Sequence, residues 1–123
     1  MLTPNVPVWF EIPTTNLDRA QTCYETLFGQ SLSREDFGGM PMAVFPHEKP
    51  GNSGALVFDD RCRPSADGSV VYLGTDSIDP VLGRADAAGC QVLMPRTVLP
   101  HDIGVIALLI DSEGNRVGIW SKS

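Results

Sequence analysis

The chain has little of what marks several protein classes. Its three cysteines, Cys23, Cys62 and Cys90, are odd in number and form no C-x-x-C spacing. Neither a disulfide framework nor a zinc knuckle fits them, and they read as reduced thiols. Arg61 and Arg63 flank Cys62 and would favour its thiolate, but no histidine stands near it in sequence to complete a nucleophilic pair. Positive charge is also scarce. Nine Lys and Arg against 15 Asp and Glu give a formal net charge of −6, which argues against general affinity for nucleic acid or an anionic membrane. No segment approaches the ~20 apolar residues of a membrane-spanning helix. The opening "MLTPNVPVWFEI" lacks a basic stretch followed by an apolar one. No secretory signal is therefore expected, and the cytoplasm is the expected compartment.

What remains is an ordinary globular composition, 42% hydrophobic and 20% charged over 123 residues, which suits one domain across 1–123. "VWFEIP" (8–13) alternates as a strand does. "LDRAQTCYETLF" (17–28) carries Leu17, Ala20, Tyr24, Leu27 and Phe28 at helical spacing, with Asn16 or Thr15 as N-cap and Gly29 as terminator. Strands are predicted at 31–36, 40–45 and 54–58. The pattern then restarts: a strand at 69–75, a helix at 78–89 capped by Ser77 or Asp79, and strands at 90–95, 103–110 and 115–120. Pro80 is tolerable because it falls in the first helical turn.

Sliding the first half onto the second by about 61 residues places Leu17-Asp18 on Ile78-Asp79, Ile12 on Leu73 and Val57 on Gly118. Two βαβββ modules, about 6–60 and 68–121, are the expected architecture: an α+β fold in which the modules form a curved mixed-sheet cup. Strand parity separates the two faces. Val8, Phe10, Ile12, Val71, Leu73, Val117 and Ile119 form an apolar face suited to packing on helices. Trp9, Glu11, Val70, Tyr72, Arg116, Gly118 and Trp120 form the other, which mixes aromatics with charge as a ligand cavity does.

With these elements in place the chain resembles the vicinal oxygen chelate superfamily, which includes glyoxalase I, bleomycin- and fosfomycin-resistance proteins and extradiol dioxygenases. The resemblance is carried by "VWFEIPTTNLDRAQTCYETLFG", by "DDRCRPSADGSVVYLGTDSIDPVLGRADAAGCQVLMP" and by "IALLIDSEGNRVGIW", in the expected order along nearly the whole chain. It looks most like the small single-domain glyoxalase/bleomycin-resistance-like members. Relatives that use a metal place His, Glu or Gln on the first and last strand of each module. Carried over, those positions fall on Trp9, about Val57, Val70 and Gly118, none of which can ligate a metal. No metal or other cofactor is expected. The resemblance also implies a homodimer and a small-molecule ligand.

Two kinds of function fit. In the first, the chain binds a small aromatic or amphipathic molecule in a metal-free cup, sequestering a drug or metabolite. Trp9, Phe45, Phe58, Tyr72 and Trp120 offer stacking surfaces, Arg116 a partner for a carboxylate, and His47 a polar contact at the rim. In the second, it is a metal-independent lyase or isomerase with Glu11 or His101 as acid/base. Glu11 would be raised by desolvation beside Trp9, unless it is paired with Arg116 or another basic group, and His101 lies in the loop "VLPHDIG" near the expected cavity mouth.

Overall fold

The computed structural model describes residues 1–3, 6–48 and 51–123. Strand β1 (Trp9–Thr14) leads directly into Asn16. The Asn16 backbone is still extended, while its side-chain oxygen accepts from the Arg19 amide at 3.0 Å. That satisfies one free donor of the first turn and starts helix α1 (Leu17–Phe28). Leu17, Ala20, Cys23, Tyr24 and Leu27 make its buried stripe. It stops at Gly29, whose φ of 65° is left-handed and favours glycine. Leu32 turns into the core, and its amide donates to Glu25 Oε2 at 2.8 Å. The next strand therefore begins later than its composition suggests. The module closes with β2 (Ser33–Phe37), β3 (Met40–Val44) and β4 (Ser53–Phe58).

The second module comprises β5 (Tyr72–Gly74), α2 (Ile78–Gly83), α3 (Ala85–Ala88), β6 (Gln91–Val98), β7 (Val105–Ile110) and β8 (Arg116–Ser121). Two expectations change here. The helix expected over 78–89 is two short helices, because Arg84 leaves helical geometry at φ −99°, ψ 0°. From that kink its guanidinium Nε donates to the Leu27 carbonyl at 2.8 Å, one of the free acceptors at the C-terminal end of α1. The strand expected over 69–75 shortens to 72–74. It is an edge strand with β8 as its one neighbour, and before Tyr72 the Val71 carbonyl accepts from the Gly118 amide at 2.9 Å.

Each module is a four-stranded mixed sheet, ordered β1-β4-β3-β2 and β5-β8-β7-β6, with the outer pair parallel in both. Parity separates the faces as expected: Ile12, Leu56, Ala107, Val117 and Ile119 are buried with the helices in one core, and Phe10 and Leu73 pack against it. Val8, ahead of β1, is exposed instead. No helix among the described residues is long and apolar enough to cross a membrane.

The strand register corrects the internal repeat. Ile12 pairs with Leu56 and Leu73 with Ile119, so an offset of 61 at the first strand becomes 63 at the last. Gly118 lies beside Tyr72, and in the first module Ala55 lies beside Glu11. The counterpart of Gly118 is therefore Ala55 and not Val57. The extra length sits in the β6–β7 hairpin, where β6 has eight residues against five in β2 and its pairing with β7 shifts register twice.

The modules are joined by the turn "DSEGN". Asp111 Oδ1 accepts from the Glu113 and Asn115 amides, and Oδ2 accepts from the buried Tyr24 hydroxyl at 2.7 Å. Asn115 Nδ2 donates to the Pro13 carbonyl at 2.8 Å, and Asn115 Oδ1 accepts from the Ser65 amide. Burial first, and then the Asp111 charge, push the Tyr24 hydroxyl well above its usual range, so it stays a donor. Tyr24→Phe removes a charge-assisted bond and is expected to cost about 2 kcal/mol in urea unfolding.

Candidate functional site

The face turned away from the helices is built from β1, β5 and β8. Trp9 and Glu11 alternate outward on β1, and the Trp9 indole N–H donates to Glu11 Oε2 at 3.3 Å. In the second sheet Tyr72 is exposed on β5, paired with Gly118 of β8. The Tyr72 ring lies on Gly118: a Cβ there would be 2.3 Å from Tyr72 Cδ1 and 2.5 Å from Cε1. Glycine in the middle of this strand is thus explained by an aromatic ring using the space above it. Trp9 and Tyr72 remain 42% and 46% exposed, so each offers a free ring surface.

Between the sheets, Glu11, Pro13, Ser65, Ser69, Asn115 and Arg116 line a small cavity of about 60 Å³. Arg116 does not pair with Glu11. Its Nε is buried and, among the described residues, has no hydrogen-bond partner. A buried guanidinium donor without an acceptor is costly unless something supplies one. Here it sits beside two serines in the cavity wall.

The other candidates lie elsewhere. Phe45 is on the helix side, its ring 5.5 Å from those of Phe10 and Tyr24. It lines a second cleft of about 290 Å³ with Phe10, Phe28 and Leu32. Phe58, 44% exposed, leaves the end of β4 into a cleft of about 440 Å³ with Asp59, Cys62 and Arg63. Arg61 turns to Asp59 there, at 2.9 Å, and holds that carboxyl down to about 2. His47 is exposed after β3, with Nδ1 3.4 Å from the Phe45 carbonyl oxygen. His101 and Asp102 have left-handed φ of 61° and 54° in the exposed β6–β7 turn. Trp120 is tied to that turn by its indole N–H, which donates to the Ile103 carbonyl at 3.0 Å. Glu11 and Arg116 therefore share a cavity wall, and Tyr72, His101 and His47 lie outside it.

Sequence reasoning missed Glu113. Its side chain is fully inaccessible, yet it belongs to the second module and closes the N-terminus of α1 in the first. Oε1 accepts from the Thr15 and Asn16 amides at 2.9 and 3.0 Å, and Oε2 from Arg19 Nε at 2.7 Å. Burial alone would raise this carboxyl. The Arg19 guanidinium, the Asn16 and Thr15 amides and the Ser112 hydroxyl outweigh it and lower it to about 2. The acidic residue three places before Arg116 in the turn was the available signal, but nothing local identifies a partner 94 residues away.

No family model matches the chain. Over 95% of its length it is 25% identical to "Putative glyoxylase CFP32" of Mycobacterium bovis and of Mycobacterium tuberculosis. It spans 46% of those relatives, about half their length. Among solved structures it superposes on a glyoxalase/bleomycin resistance protein from Albidiferax ferrireducens T118 with a TM-score of 0.69 and 14% identity, covering 93% of this chain and 96% of that one. A glyoxalase/bleomycin resistance protein/dioxygenase family enzyme from Burkholderia phytofirmans PsJN gives the same score and identity, at 94% and 98% coverage. The fold is the glyoxalase/bleomycin-resistance fold. The two modules and the open, cup-like sheet face are its defining parts.

Metal-using relatives of this fold imply a metal in the cup, and the residues here do not fit one. Trp9, Val70 and Gly118 have no donor for a divalent ion, and neither Val57 nor its register-corrected replacement Ala55 has one. Among the described residues, no group of three or more His, Cys, Asp or Glu is placed to hold a metal ion.

Proposed function

We propose that this chain binds a small aromatic or amphipathic anion on the cup face, with its ring against Trp9 and Tyr72 and its acidic group on Arg116. The observation that carries the reading is the buried Arg116 Nε, without a hydrogen-bond partner among the described residues, beside a small polar cavity that also holds Glu11, the residue bonded to the Trp9 indole. A carboxylate placed there completes the guanidinium and meets the two serines. The two exposed rings would cover the rest of the molecule. Sequestration of a drug or metabolite follows from this arrangement more directly than turnover, because neither histidine shares the wall that holds Glu11. The reading includes a single domain acting as a homodimer in the cytoplasm. The apolar side chains of Val92, Leu93 and Val98, exposed along edge strand β6, are available to a second copy.

The test is tryptophan fluorescence titrated with a panel of aromatic carboxylates and their matched amides. Quenching is expected from carboxylates, with affinity falling about tenfold in Arg116→Met and the amides unaffected by that change. A panel that leaves the fluorescence unchanged, or that quenches Trp9→Phe as strongly as the parent, removes the proposal. Sedimentation of the free protein addresses the dimer separately.

A further inference from the structure

Away from the cup, two cysteines meet at the seam between the modules. Cys23 lies on the inner stripe of α1 and Cys90 immediately after the Gly89 that ends α3. They are 67 residues apart, yet their sulfurs are 3.4 Å from each other. Both are buried, at 3% and 6% exposure, and both are free thiols. The two are not equivalent. Cys23 also forms part of the wall of an open surface cleft with Asn16, Arg19, Thr22, Ala88 and Ser112. Cys90 is not part of that wall, so the cleft is the side from which a molecule as small as hydrogen peroxide would meet Cys23 first.

We propose that Cys23 and Cys90 form a peroxide-oxidisable dithiol, in which Cys23 is the attacking sulfur and Cys90 the resolving one. The Cys23 thiolate attacks one peroxide oxygen; the S–O bond forms, the O–O bond breaks, and the departing hydroxide takes a proton to become water. Cys23 is then a sulfenic acid. The Cys90 sulfur gives up its proton and attacks the Cys23 sulfur; the S–S bond forms, the S–O bond breaks, and a second water leaves. Two thiols and one peroxide give one disulfide and two waters, with two electrons passing from sulfur to peroxide. The geometry requires a modest approach, from 3.4 Å to the ~2.05 Å of a disulfide, between elements already packed together. The electrostatics agree in direction. Hydrogen bonding from Cys90 lowers the Cys23 thiol to about 7; burial opposes this and Ser112 assists it. The same contact, with burial, pushes Cys90 upward. The product staples α1 of one module to the start of β6 in the other.

The exposed Cys62 is first replaced by serine so that intermolecular disulfides do not intervene. Treatment of Cys62→Ser with stoichiometric hydrogen peroxide is expected to lower the intact mass by about 2 Da. Digestion without reductant should then yield one linked pair of peptides carrying Cys23 and Cys90. The melting temperature should rise on the order of 10 °C and return with dithiothreitol. Adding Cys90→Ser should leave a sulfenic acid at Cys23 that dimedone captures. The proposal is overturned if both thiols stay alkylatable after denaturation, or if oxygen adds to either sulfur of Cys62→Ser without a cross-link.

Discussion

Glu113→Gln is expected to lower the melting temperature by about 10 °C at neutral pH, a loss of about 2–3 kcal/mol. The side chain is sealed from solvent and accepts from the Thr15 and Asn16 amides and the Arg19 guanidinium. Glutamine keeps an acceptor oxygen but loses the charge that faces Arg19 and the positive end of α1. Arg19 is half exposed, so solvent partly screens the ion pair and limits the loss. The pH dependence has a definite sign. The folded carboxyl is held at about 2 against an ordinary 4.5. Its stabilisation is therefore fully present above about 4.5 and is lost as pH falls toward 2. The parent and Glu113→Gln curves, measured by urea unfolding across that range, should converge on acidification. Curves that stay parallel down to pH 2 would mean that the buried contacts matter and the charge does not.

That interaction also marks the boundary of what was legible in the sequence. Elements whose causes are local came through well. Helix α1 was readable to the residue because its cap, stripe and terminator all lie within 14 positions, and strand faces followed from alternation alone. The repeat was visible because both modules restart with a strand and a capped helix. Its register was not, since the inserted length lies in a hairpin with two irregular steps and no sequence signal fixes where pairing resumes. The helix over 78–89 divides after Gly83, where Arg84 leaves helical geometry, and the contact Arg84 makes from there, with the Leu27 carbonyl in the other module, has no local signal. Among the candidate site residues, parity grouped Trp9, Glu11, Tyr72 and Arg116 on one face. Phe45 had no such pattern to place it, and it is on the helix side. Long-range partners, including Glu113 for Arg19 and Cys90 for Cys23, leave no periodic trace.

Gly54→Ala and Gly118→Ala make a matched pair whose expected outcomes differ. In each module a glycine on the last strand lies beside an aromatic on the first: Phe10 over Gly54 and Tyr72 over Gly118. In both, an added Cβ would be 2.3 Å from a ring carbon, so one of the two must move. At Gly54 neither can move cheaply. Phe10 packs against the core and against Phe45, and the Gly54 carbonyl accepts from the Phe45 amide at 3.0 Å. Overpacking of this kind costs about 3 kcal/mol, read as a melting temperature lower by about 10–15 °C. At Gly118 the opposing Tyr72 is 46% exposed and stands on a three-residue edge strand. Its ring can rotate off the sheet, so Gly118→Ala should cost below about 1 kcal/mol. The lost contact then appears in binding: Tyr72 no longer rests on Gly118, two positions along β8 from Arg116, and affinity for an aromatic carboxylate should fall about fivefold with stability nearly unchanged. Equal destabilisation by both substitutions would show that Tyr72 is held as firmly as Phe10 and is a structural ring, not one free to meet a ligand.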